Sequence, residues 1–212
     1  MKDLAYYKKL ILSVYSENLV SYELNEDDIL FGVFKTSEVI HFIEDNYNTD
    51  KEETHEAKLN RIIKVVDSVN SNKSFFTLPV TSIKRYFTGI SEQSLLNMIL
   101  ECDGNYDILE NRIKYDIKHE LGHIIFMKEK YDENCKNGKS MYESMMKSHD
   151  YLWQTFKDSN NLEAHKYDKE FLMNMYNTFY TLPIEREAND RANIQTSKYI
   201  DALIEYDLIK KG

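Results

Sequence analysis

Helix breakers are scarce in this chain: its 212 residues include 6 Gly and 2 Pro. That scarcity excludes collagen-like and Pro-rich low-complexity architectures. Cysteine is scarcer than in any disulfide scaffold. Cys102 and Cys135 are the only two, and no C-x-x-C spacing joins them. They fit a reducing compartment. No segment approaches the roughly 18 apolar residues that span a bilayer, so no membrane partner is expected. At the N-terminus, Lys8 and Lys9 precede only Leu10, Ile11 and Leu12. This patch is too short for a signal-peptide core and no small-residue cleavage site follows, so the expected location is cytoplasmic. Basic residues are the minority, 27 Lys and Arg against 36 Asp and Glu, for a formal net charge of -9. An acidic chain repels phosphate, and no nucleic-acid partner is expected. Blocks of like charge and internal repeats are also missing, which removes charged tails and solenoids.

Apolar material is ample. Hydrophobic residues make up 42% and charged residues 30%, which excludes wholesale disorder. The 16 Tyr and 10 Phe supply large buried surfaces, the tyrosines with polar handles. Helical spacing runs over 3–21 through Leu4, Tyr7, Ile11, Val14 and Tyr15. A short strand is expected at Ile29–Phe34, then a helix opened by Ser37. Another helix carries Leu59, Ile62, Ile63, Val66 and Val69 on one face. Phe75–Val80 reads as a strand that Pro79 confines to an edge. Ser91 is the expected N-cap of a helix through Leu95, Leu96, Ile99 and Leu100. After the Asp103-Gly104-Asn105 turn, a helix is expected from Ile108 to Lys130, broken by Asn134–Gly138. Helices follow at 140–157 and 162–180, and Pro183 opens a last one over Ile184–Ile209. The expected fold is mainly α (α+β with at most one small sheet). It comprises a mostly helical portion over 1–104 and a portion over 105–212 that carries the chemistry, together one compact unit.

That chemistry is concentrated in His119-Glu120-Leu121-Gly122-His123, an H-E-x-x-H motif. A chance occurrence is expected in only ~1–2% of chains of this composition. Positions i and i+4 lie one turn apart on one helix face, so two imidazoles can share a zinc ion. Glu120 lies about 100° around the helix. From there it reaches a zinc-bound water, whose pKa the metal lowers, and takes its proton. Ile113, Ile117, Leu121, Ile124 and Ile125 anchor the opposite face in a core. Gly122 leaves room near the metal.

A catalytic zinc site needs a third protein ligand. Downstream, Glu185, Ala188, Asn189 and Ala192 occupy i, i+3, i+4 and i+7 of a helix. Glu185 is the expected ligand, and Asn189 can orient a zinc-binding imidazole through its free nitrogen. Ala188 and Ala192 are small enough for close approach to the 119–123 helix. Glu187, on another face, and His149 are the alternative ligands.

The two blocks, His119–His123 and Glu185-Arg186-Glu187-Ala188-Asn189, resemble the gluzincin zinc metallopeptidases. Among these they look most like the ImmA/IrrE-type family, with its H-E-L-G-H and E-x-E-A-N patterns. The resemblance covers about 25 residues. It implies a zincin-like catalytic portion with His119, His123 and Glu185 on Zn2+ and Glu120 as general base. It also implies a peptidase or peptidase-like regulator, of a kind often encoded by phages, mobile elements or stress-response systems.

Zinc peptidases also need a donor for the oxyanion. His149, His165, Tyr176 and Tyr180 qualify by type, and Tyr180, near the Glu185 helix, is the preferred one. His41 and His55 are expected on the surface. Met141, Met145, Met146, Met173 and Met175 are expected to pack a helical core, with Trp153. The residues after His123 lack the Gly and His that a metzincin requires. The leading expectation is a zinc peptidase acting on a protein or peptide. The alternatives are a non-catalytic regulatory protein on a gluzincin scaffold, and a helical structural protein with a coincidental motif.

Overall fold

The computed structural model describes residues 2–35, 74–79, 86–133 and 168–210, with isolated positions at 37, 38, 41, 151, 154 and 155. The expected helix through Leu59–Val69 and most of the Ser37 and 140–157 helices, the latter with Met141, Met145, Met146 and Trp153, lie outside the described residues. So do His55, His149, His165 and the Asn134–Gly138 break. The chain divides into two units, Met1–Leu100 and Glu101–Gly212.

In the N-terminal unit, helix α1 spans Leu4–Ser21. The Asp3 carboxylate caps it by accepting from the Tyr6 N–H at 2.9 Å. Tyr7, Ile11, Val14, Tyr15 and Leu19 form its buried stripe. Three strands follow: β1 (Ile29–Phe34), β2 (Phe76–Pro79) and β3 (Tyr86–Ser91), in spatial order β1-β3-β2. β1 runs parallel to β3, and β2 antiparallel to it. Pro79 does sit on an outer strand, as a residue without an N–H must. β3 was not expected. It lies between the other two strands and is buried from Tyr86 to Ile90, so it lacks the alternation that marks a half-exposed strand. Its Gly89 reads as a breaker, yet the sheet requires it. Gly89 pairs with Gly32. A Cβ at Gly89 would lie 2.0 Å from the Gly32 carbonyl oxygen. Helix α2 (Glu92–Glu101) starts after Ser91, whose hydroxyl accepts from the Ser94 N–H at 3.1 Å.

The C-terminal unit holds four helices among the described residues: α3 (Tyr106–Glu133), α4 (Lys169–Tyr180), α5 (Pro183–Arg191) and α6 (Thr196–Ile209). Leu109, Ile113, Ile117, Leu121 and Ile124 line the fully buried side of α3. Asp168 caps α4 by accepting from the Glu170 and Phe171 N–H groups. The single helix expected over Ile184–Ile209 is two helices. Asn193 takes a left-handed conformation, φ 51°. The N–H groups of Asn193 and Ile194 then turn back onto the carbonyls of Asp190 and Asn189. This closure ends α5, and asparagine is the non-glycine residue best suited to it. The break lets α6 fold back onto α3 and α4. The described residues are thus mainly helical with one small sheet, as expected.

Candidate metal centre

Helix α3 presents His119 and His123 one turn apart, ring centroids 4.7 Å and planes nearly perpendicular at 79°. Their Nε2 atoms stand 3.2 Å from each other. Glu185 enters from the first turn of α5, its Oε2 2.8 Å from His119 Nε2 and 3.6 Å from His123 Nε2. The three side chains are 3%, 9% and 6% exposed. One ligand atom from each lies within 4.8 Å of the others.

Gly122 makes this convergence possible, by a route other than the expected one. A Cβ there would lie 2.0 Å from the Ala188 carbonyl oxygen. The glycine therefore admits the α5 backbone rather than leaving room at the metal. Ala188 is fully buried at this crossing, as its small size suggested. Arg191 reaches from the end of α5 to Glu129 of α3 at 2.5 Å, a second tie between the helices.

Asn189 is fully buried. Its Oδ1 stands 2.8 Å from His119 Nδ1, and its Nδ2 donates to Thr196 Oγ1 at 3.3 Å. An amide oxygen only accepts, so His119 Nδ1 carries a proton and Nε2 is the nitrogen left to face the cluster. Two imidazole nitrogens and a carboxylate oxygen converging away from water call for a cation among them. Without a metal, that cation is a proton. Burial works against charging His119, but the hydrogen bond and charge of Glu185, helped by Glu120, push its pKa up to about 9. Two imidazoles and a carboxylate are also a borderline-soft donor set that suits zinc. The residues therefore fit a metal centre.

Glu120 is 9% exposed, and its charge is felt at His119. Tyr180, at the end of α4, sets its ring edge-on to His119 at 5.4 Å. Burial, followed by the charge of Glu185, raises the Tyr180 pKa well above the ordinary tyrosine value. The other expected residues lie elsewhere. Glu187 pairs with Arg191 at 3.1 Å and does not join the cluster. Tyr176 donates to Asp207, and His41 is exposed.

Four residues around the cluster escaped the sequence reading: Arg112, Asp116, Thr196 and Tyr199. The Tyr199 ring leans on His119 at 5.2 Å and on Tyr180 at 4.9 Å. Its hydroxyl donates to Asp116 Oδ1 at 2.7 Å. Arg112 Nε donates to both Asp116 oxygens, at 2.8 and 2.7 Å. Although burial opposes its charge, Asp116 and the surrounding acids keep the Arg112 pKa well above the ordinary arginine value. The i, i+4 spacing of Arg112 and Asp116, one turn before His119, was the available signal. Nothing local singles out Tyr199.

No helix among the described residues is long and apolar enough to cross a membrane. Comparison of the chain with protein-family models, with curated proteins and with solved structures yields no match.

Proposed function

We propose that the chain is a zinc-dependent metallopeptidase of the gluzincin kind, closest in its motifs to the ImmA/IrrE-type family. In this reading it hydrolyses a peptide bond in a protein or peptide in the cytoplasm. The observation that carries the proposal is the meeting of His119, His123 and Glu185, from two helices, beside Glu120. When bound, zinc supplies Lewis acidity toward a carbonyl and acidifies water. His119, His123 and Glu185 hold the ion, and Asn189 keeps His119 Nε2 directed at it. Glu120 accepts a proton from the attacking water and returns it to the departing amine nitrogen. Tyr180 is the proposed oxyanion donor. Its raised pKa keeps the O–H intact, so it can donate as negative charge builds on the carbonyl oxygen.

The test is incubation of the zinc-loaded protein with a defined peptide mixture, with products read by mass spectrometry. Wild type should cleave, and Glu120→Gln should keep its zinc but lose ~10²–10⁴ in rate. Unchanged cleavage by Glu120→Gln would remove Glu120 as the base. Zinc binding without cleavage of any peptide or protein offered would favour the regulatory reading.

A further inference from the structure

We infer that Tyr199 is a positioning residue for the His119 imidazole, anchored by Asp116 and Arg112; the inference rests on the metal-centre part of the proposed function. His119 must hold its ring plane to aim Nε2 at an ion. Asn189 fixes Nδ1, and without an ion Glu185 holds Nε2 at 2.8 Å; with an ion on Nε2, the bond to Asn189 is the ring's one remaining hydrogen bond, about which it can hinge. The remaining freedom is blocked by two aromatic rings, Tyr180 edge-on and Tyr199 tilted by 44°. Such control falls on His119 because His123 offers no similar handle. The Nδ1 of His123 is buried with no hydrogen-bond partner among the described residues.

Tyr199 lies along one turn of α3, its ring against His119 and its hydroxyl on Asp116 three residues earlier. Asp116 is in turn fixed by both hydrogen bonds from Arg112. Stability alone does not account for this arrangement. Buried ion pairs are often no more stabilising than apolar residues of the same shape, and Phe in place of Tyr199 would fill the same space. What the hydroxyl adds is a fixed ring orientation. The same helix supports His119 a second way, because Thr196 of α6 accepts from the Asn189 amide. Helix α6, which donates no metal ligand, thus braces His119 through both its ring and its Nδ1.

The experiment compares wild type, Tyr199→Phe, the double variant Arg112→Met with Asp116→Leu, and the triple combination. The double variant removes the anchor without leaving a lone buried charge. Zinc affinity is measured by competition with a chromophoric chelator, ligand geometry by the visible spectrum of the cobalt(II)-loaded protein, and folding by thermal melting. Tyr199→Phe should bind zinc about tenfold more weakly and shift the cobalt band, the scale seen when outer partners of metal ligands are removed. The double variant should lose a similar factor, and the triple variant no more than the double, because hydroxyl and anchor act as one unit. Wild-type affinity and an unchanged cobalt spectrum in Tyr199→Phe would overturn the inference, whatever the melting temperature. So would additive losses in the triple variant. A wild type that binds zinc and cleaves no peptide would remove the peptidase proposal and leave this one standing. A wild type that binds no metal would overturn both.

Discussion

Gly122→Ala tests the crossing of the two ligand-bearing helices, because two effects of opposite sign meet there. In a helix interior, alanine is favoured over glycine by about 1 kcal/mol, so the change alone would stabilise α3. The structure opposes this. The added Cβ would meet the Ala188 carbonyl oxygen at 2.0 Å, its carbon at 2.7 Å and its Cα at 3.1 Å. All three are backbone atoms of α5, so no rotamer change relieves the contact. The helices must separate by about 1 Å or more to restore ordinary van der Waals distances. Overpacking of this kind costs about 1–3 kcal/mol, and a backbone-to-backbone clash belongs at the upper end. The expected net effect is a loss of about 1–2 kcal/mol, the difference between these contributions. Glu185 lies one turn before Ala188 on the same short helix, so the displacement also carries the carboxylate away from the histidines. Zinc–oxygen bonds of about 2.0–2.2 Å do not tolerate such a shift, and zinc affinity should fall at least ~10-fold. Urea unfolding and chelator competition measure the two effects. A Gly122→Ala protein more stable than wild type, with undiminished zinc affinity, would refute the reasoning.

The metal-free protein should lose stability as pH rises. His119 is raised from 6.5 to about 9 on folding, so its pairing with Glu185 contributes fully below about pH 6.5 and is lost as pH passes 9. A urea midpoint that stays flat or climbs over that interval would contradict the pairing. Asn189→Leu removes the acceptor on His119 Nδ1 and should weaken zinc binding by ~10–100-fold, read by isothermal titration. Gly89→Ala places a Cβ against the Gly32 carbonyl at a φ of 155°. It should cost the N-terminal unit about 2 kcal/mol or more in urea unfolding while leaving zinc affinity unchanged.

What could be read from the sequence follows the range of the interactions concerned. His119 and His123 were legible because one helix carries both, at a spacing fixed by its own geometry. Glu185 and Asn189 were legible because small residues interleave with them on one face. β1 and the Pro79 edge strand carry local signals. β3 does not: burial removes its alternation, and the need for Gly89 arises only from the strand beside it. The end of α5 was hidden because Asn193 looks like any polar helix residue until its backbone turns left-handed. Tyr199 meets Asp116 across 83 positions of chain, a pairing that exists only once α6 has folded back. Gly122 was noticed, but the atom it accommodates belongs to another helix.

The most direct test of the central claim is metal content by plasma mass spectrometry, on untagged wild type and on Glu185→Ala. One zinc per wild-type chain is expected, lost from the variant on dialysis. No metal in the wild type, even after incubation with zinc, or full retention by Glu185→Ala, would contradict the three-ligand centre.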